Sequence, residues 1–170
     1  MFKKFGHGDA FLIEPIIKTA FPEEDLWPLV TELLLIKEGV LCFGEVSETK
    51  AISFACLTEF SAGANQYLCH LMAPVAVHKD QHGKGHGRAL INHAIEMSQR
   101  QNGHRIVTLG DPNLYGHFGF KTDDMLLPPY ELPDEYVAGW QSIDATGFMT
   151  KGPLSTYFPA VWMKPEFWLP

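Results

Sequence analysis

"VHKDQHGKGHGRALINHAIEMSQR", residues 77 to 100, places Gly83, Gly85 and Gly87 among Lys84, His86 and Arg88, directly before an amphipathic run. Leu90, Ile91, Ala94, Ile95 and Met97 recur at helical spacing, with Asn92, His93, Glu96 and Arg100 on the other side. A helix is therefore expected from about Arg88 to Gln101, ended by Gly103. A helix begins with unpaired amides and a partial positive charge. Glycines in front of it take positive φ readily, turn several amides toward one point and let a bulky group close on the backbone. Lys84 and Arg88 add positive charge, and a pyrophosphate suits such a place. The competing reading is an ordinary glycine-rich surface turn. Two other phosphate loops fit poorly. The nucleotide P-loop needs four residues between its first glycine and Gly-Lys-Ser/Thr, and Gly83-Lys84-Gly85 does not provide that. The dinucleotide fingerprint needs a glycine where Arg88 stands.

The surrounding pattern is α/β. "IEPIIKTAF" (Ile13 to Phe21) reads as a short helix, and "EEDLWPLVTELLL" (Glu23 to Leu35) as a second with acidic residues in its first turn. "GVLCFGEVSE" and "KAISFACLTEF" read as an antiparallel hairpin, and "YLCHLMAPVAVH" (Tyr67 to His78) as a longer strand. Pro74 cannot donate to a ladder, so it implies a bulge or a neighbouring strand that has moved away. "RIVTLGD" is a buried strand, and "PNLYGHFGF" a tight turn with one helical turn. Beyond Lys121 proline and glycine break the pattern, leaving "STYFPAVW" as a candidate last strand. One domain over 1–170 is expected, with its core at about 10–122 and an irregular part from 123 to 170.

Strand, glycine loop, helix, strand and turn together resemble the GNAT superfamily of N-acetyltransferases. Gln81-His82-Gly83-Lys84-Gly85-His86-Gly87 is similar to its Gln/Arg-x-x-Gly-x-Gly/Ala signature, with Gln81, Gly83 or Lys84 in the variable slots and glycines paired with one residue between them, and "VTLGDPNLYGHFGF" is similar to its YhbS-like bacterial branch. The resemblance runs from Ile13 to Lys121 and is specific from Met72 to Phe120. It implies a mixed, mostly antiparallel twisted sheet with splayed central strands, flanked by helices. The family's first strand has to fit in the first ten residues, where "MFKKFGHGD" carries a weak strand signal.

The resemblance implies acetyl-CoA as cosubstrate. Its pyrophosphate falls to the backbone of His82, Gly83, Lys84, Gly85, His86, Gly87 and Arg88. Its pantetheine arm falls to Val75, Ala76 and Val77 of the preceding strand, and to Asn113 at the later turn. A backbone amide near Val75 is the candidate oxyanion donor. The resemblance also implies Tyr115 as the acid for the leaving thiolate, since many family members place a tyrosine after this strand beside the coenzyme sulfur, and a phenol of reference pKa near 10 holds a proton to give; the competing reading packs its ring against Phe118 and Phe120. For the base, Glu59, His70 and a chain of water remain open. The acceptor is expected to be a primary amine. The rival of another class is a non-catalytic acyl-CoA-binding or sensor module, which keeps the loop and lacks the acid.

Composition bounds the rest. A net charge of -7 argues against a general nucleic-acid binder. No apolar run reaches the roughly 18 residues that span a bilayer, and the N-terminus makes a poor signal peptide, so a cytoplasmic protein is expected. Cys42, Cys56 and Cys69 form no CxxC, so free thiols are expected rather than a disulfide framework or zinc ribbon. His78, His82 and His86 are four apart, but a metal site needs a helix that Gly83 and Gly85 disfavour, so no metal is expected. Tyr130, Tyr136, Trp140, Phe148, Tyr157, Phe158 and Trp162 crowd the C-terminal third; core or a homodimer contact is the favoured use, an acceptor pocket the other.

Overall fold

In the computed structural model, residues 1–146 and 152–168 are described. β1 (Phe2–Phe5) pairs antiparallel with β2 (Val40–Ser47), placing Phe2 opposite Glu45 and Phe5 opposite Cys42. The weak N-terminal signal is thus a strand. A short edge strand tolerates exposed lysines, here Lys3 and Lys4, because one side has nothing to pack against.

Between these strands run α1 (Ala10–Ala20) and α2 (Trp27–Leu35). α1 buries Leu12, Ile13, Ile16 and Ile17, one stripe of a 3.6-residue period. The acidic trio Glu23, Glu24 and Asp25 lies before α2 rather than in its first turn. Pro28 explains the difference: its fixed φ and missing amide suit the first turn, and the helix starts beside it.

β2 pairs antiparallel with β3 (Lys50–Ala51) and with β4 (Ser53–Ala62). Position 44 has to be glycine, because a Cβ there would lie 1.9 Å from the Ser53 carbonyl oxygen. Cys42 sits opposite Cys56, with Cα atoms 4.2 Å apart, and the two sulfurs are bonded. The expectation of free thiols therefore fails for this pair and stands for Cys69, which is free and buried. Sequence spacing alone does not see a bond set by hairpin register.

β5 (Tyr67–Val77) leads through the glycine loop into α3 (His86–Arg100). Leu90, Ile91, Ala94 and Ser98 are buried on α3, while Ile95 and Met97 are half-buried. Asn102, not Gly103, takes the left-handed position after the helix, with φ 59°. Gly103 is needed for space, since a Cβ would lie 2.5 Å from His70 Nδ1 and from Ser98 Oγ.

β6 (Arg105–Leu109) runs parallel to β5 from Cys69↔Arg105 to Leu71↔Val107, where the ladder ends, while β5 continues to Val77. Then follow α4 (Pro112–Tyr115), β7 (Lys121–Thr122), α5 (Asp134–Val137), β8 (Trp140–Asp144) and β9 (Thr156–Tyr157). β8 pairs antiparallel with β6 and β7, and β9 with the end of β4. β8 escapes a hydropathy reading because its buried residues include Gln141 and Ser142. Both are satisfied: Gln141 donates to the Gly110 carbonyl at 3.0 Å, and Ser142 bonds to the Asp123 carboxylate. "STYFPAVW" supplies only the two-residue β9 and a turn of 3-10 helix.

The chain forms two compact units. The first, Met1–Thr58 with Met72–Ala94, has the pairing order β1-β2-β4-β5 and a core around Ile13, Val30, Phe43 and Phe54. The second, Glu59–Leu71 with Ile95–Pro170, has the order β4-β5-β6-β8-β7, β9 adding to β4, and a core around Cys69, Ile106, Val107 and Trp168. The sheet is mixed and mostly antiparallel, with β5 and β6 its parallel pair. Among the described residues no helix is long and apolar enough to cross a membrane.

Candidate active site

In the first unit the site begins on β5. Ala76 is buried, and Val75 and Val77 are half-buried. These residues lie past Leu71, beyond the end of the β5–β6 ladder, and Pro74 among them has no amide to donate. The chain then turns at His78, whose amide donates to the Ile52 carbonyl at 2.8 Å. One turn of 3-10 helix, Lys79–Gln81, leads into the glycines.

Gly83 and Gly85 have φ of 74° and 88°, the left-handed region that side chains strain to enter. A Cβ on either would meet nothing within 4 Å, so it is backbone conformation and not crowding that asks for glycine. Gly87 has an ordinary φ, and its Cβ would sit 3.7 Å from Val77 Cγ2. Among the described residues the amides from 83 to 88 find no backbone acceptor; Ala89, donating to the Gly85 carbonyl at 3.0 Å, is the first of the helix to do so. A row of unpaired amides at the start of a fifteen-residue helix favours an anion.

The side chains of this loop mostly fasten it. Lys84 Nζ donates to the Asp80 carbonyl at 2.9 Å and to Gln81 Oε1 at 3.2 Å. A ring nitrogen of His82 bonds the Val77 carbonyl at 2.9 Å, and His78 Nδ1 accepts from the Asp80 amide at 3.3 Å. His86 Nδ1 lies 2.7 Å from Glu45 Oε2. The three histidines thus go to three separate partners, and among the described residues no three metal-ligating side chains come together. Arg88 is exposed.

In the second unit, Asp111 caps α4 by accepting from the Asn113 amide at 2.9 Å, and Pro112 occupies its first turn. This aims Tyr115 inward. Its ring is buried, lies edge-on to Phe120 at 5.7 Å, and passes so close to Gly110 that a Cβ there would be 2.5 Å from Tyr115 Cε2. Burial raises the Tyr115 pKa above the usual phenol value, and a hydrogen bond with Thr108 partly opposes the rise. The hydroxyl therefore keeps its proton at neutral pH, as a donor must. Asn113 is exposed on the same turn.

His70 and Glu59, the two side chains considered as base, differ sharply. His70 is fully buried, with Nδ1 2.9 Å from Ser98 Oγ, and burial lowers its pKa. It serves as a packed core histidine. Glu59, on β4, is half-buried.

The C-terminal aromatics make a core. Trp140, Trp162 and Trp168 are buried, with Trp168 edge-on to Trp140 at 5.9 Å and to Trp162 at 6.0 Å. Phe158 stacks on Phe60 at 4.2 Å. Tyr136 and Tyr157 are exposed, Tyr130 is half-buried, and Phe148 lies outside the described residues. Three features escape the sequence reading: the Cys42–Cys56 bond, the Glu45–His86 pair and the buried Asp123 carboxylate, which accepts from Arg105 at 2.9 Å. Each joins residues distant in sequence, where no local spacing rule applies.

Residues 38–122 match the model of the acetyltransferase (GNAT) domain. The chain is 28% identical over 116 residues to the N-acetyltransferase YhbS of Escherichia coli strain K12, covering 66% of this chain and 68% of that one. It is 31% identical over 105 residues to the N-acetyltransferase YjhQ of the same strain, 58% of each chain. The crystal structure of Escherichia coli YhbS in complex with CoA superposes with a TM-score of 0.78 at 19% identity, covering 96% of this chain and 92% of that one. A GNAT acetyltransferase from Brucella melitensis in complex with acetyl-CoA gives 0.73 at 20% identity, covering 95% and 97%.

Proposed function

Because the chain belongs to the GNAT acetyltransferase family, we propose that it moves the acetyl group of acetyl-CoA directly onto a primary amine, with both substrates bound at once. The observation that carries this reading is the run of unpaired amides from residue 83 to 88 at the head of α3, inside the span the family model matches. Backbone amides at a helix start favour the diphosphate of the coenzyme over an uncharged ligand. Val75, Ala76 and Val77 offer strand edge to the amide-bearing pantetheine arm, and Asn113 a side-chain bond to it.

In the reaction the amine nitrogen attacks the thioester carbon to form a C–N bond and a tetrahedral oxyanion, which collapses to the amide as the C–S bond breaks. The backbone near Val75 stabilises the oxyanion, and Tyr115 gives the departing thiolate its proton. The attacking nitrogen loses its own proton to Glu59 or to water. Holding both substrates converts a bimolecular encounter into a local one.

A thermal-shift screen against acetyl-CoA, longer acyl-CoAs and ATP tests the reading, followed by a panel of amines on whichever donor stabilises. Stabilisation by acetyl-CoA with acetyl transfer to a primary amine is expected. Stabilisation by ATP alone, or acyl-CoA binding without transfer to any amine of the panel, would overturn it, the second result favouring a sensor module.

A further inference from the structure

Both ends of the glycine loop are tied to one short piece of the hairpin formed by β2, β3 and β4. At the near end the His78 amide donates to the Ile52 carbonyl at 2.8 Å. At the far end His86, the first residue of α3, holds Glu45 Oε2 at 2.7 Å through Nδ1. Ile52 and Glu45 are joined to each other: the Ile52 amide donates to the Glu45 carbonyl at 2.8 Å. The Glu45 amide in turn donates to Ser53 Oγ at 3.1 Å.

This base is rigid. Glu45 is paired with Phe2 in the β1–β2 ladder, follows the sterically obligatory Gly44, and lies close along β2 to the Cys42–Cys56 bond. The loop between the two ties has open space around Gly83 and Gly85. Its remaining side-chain bonds, from His78, His82 and Lys84, reach only the end of β5 and the loop itself.

The charges are arranged to suit an anion nearby. An ionised carboxylate only accepts, so Nδ1 of His86 carries the proton in this bond. A bare carboxylate on this side of the loop would repel a diphosphate; pairing with an imidazole N–H offsets that and makes a charge-assisted bond. The side chains of His86 and Glu45 are 24% and 19% exposed, so water screens the bond only in part.

We infer that Glu45 is a positioning residue for the coenzyme: through His86 it fixes the first turn of α3 and so keeps the amides of residues 83 to 88 converging on one point. The inference rests on the acetyl-CoA reading above, and the test separates the two. Glu45→Ala and Glu45→Gln are compared with the parent chain by calorimetry with CoA. Ligand-observed NMR follows S-acetylpantetheine, which has the thioester arm and no diphosphate. Amide hydrogen exchange across residues 79–87 is measured without ligand.

Glu45→Ala is expected to weaken CoA about tenfold, the size of one half-buried charge-assisted bond, and to speed exchange in the loop. S-acetylpantetheine binding stays as it was. Glu45→Gln, which keeps an oxygen to accept from Nδ1, recovers most of the CoA affinity. Unchanged exchange in Glu45→Ala, or equal weakening of CoA and S-acetylpantetheine, overturns the inference. Failure of the parent chain to bind CoA overturns the functional reading instead, while the exchange measurement still decides whether Glu45 holds the loop.

Discussion

From Gly83 to Arg88 the backbone is exposed or half-buried, and among the described residues its amides go without backbone acceptors. From Asp111 to Phe120 the chain closes on itself: the Leu114 and Tyr115 amides donate to the Asp111 carbonyl at 3.0 and 3.1 Å, and Gly119 donates to Gly116 at 3.1 Å. The first segment offers backbone and leaves it open. The second spends its backbone on its own turns and buries two rings, Tyr115 and Phe120. A binding surface made of amides depends on conformation, so strain and charge damage it while most side-chain truncations do not. A group held by packing depends on its own functional atom and on the fit around it. The two segments should therefore fail separately, one in affinity and the other in turnover.

The largest expected effect is on turnover. Tyr115→Phe keeps the ring and its edge contact with Phe120 and removes only the hydroxyl. Loss of a positioned acid is expected to lower kcat by about 100-fold or more, with CoA affinity by calorimetry unchanged. An unaltered kcat would make Tyr115 a packing residue and give the proton transfer to another group. Next in size is Gly85→Asp. At φ 88° an aspartate is strained by about 1 kcal/mol or more, and its charge opposes a diphosphate. CoA affinity is expected to fall about 30-fold, the equivalent of about 2 kcal/mol. Full affinity in this variant would mean that residue 85 does not face the anion.

The segments also differ in how much their sequences disclose. Glycines in front of a helical period are local signals, so the loop and the start of α3 were legible within two residues. Strands with apolar or β-branched runs were legible for the same reason. Trp140–Asp144 was not, because what makes it a strand is its pairing with β6 and the satisfaction of Gln141 and Ser142 by distant oxygens. Tyr115 was named only through the family resemblance at its turn, and its burial against Gly110 depends on how the strand before α4 ends. Glu45 carried no signal at all: it is one acidic residue in a hairpin until the fold brings His86 to it.

Gly110→Ala probes the packing side of the comparison. Its added methyl would stand 2.5 Å from Tyr115 Cε2, so the ring has to move. Overpacking of this kind is expected to cost about 1–3 kcal/mol of stability, read as a lower melting temperature, and to reduce kcat more than CoA affinity. Equal losses of kcat and affinity would show that the turn and the loop are not independent.

The smallest effect concerns a polar ring that is buried yet titratable. His70 has no exposed surface, and burial holds its pKa below the ordinary 6.5, so the folded chain keeps it neutral while the unfolded chain binds a proton as pH falls. A depressed folded-state pKa contributes stability that is complete above pH 6.5 and is lost progressively below it. Melting temperature is expected to fall between pH 6.5 and 5. His70→Gln, which cannot titrate, should start lower, because it disturbs the contact with Ser98, and should lose less across that interval. Parallel losses in the two proteins would assign the acid sensitivity to carboxylates and leave His70 without a part in it.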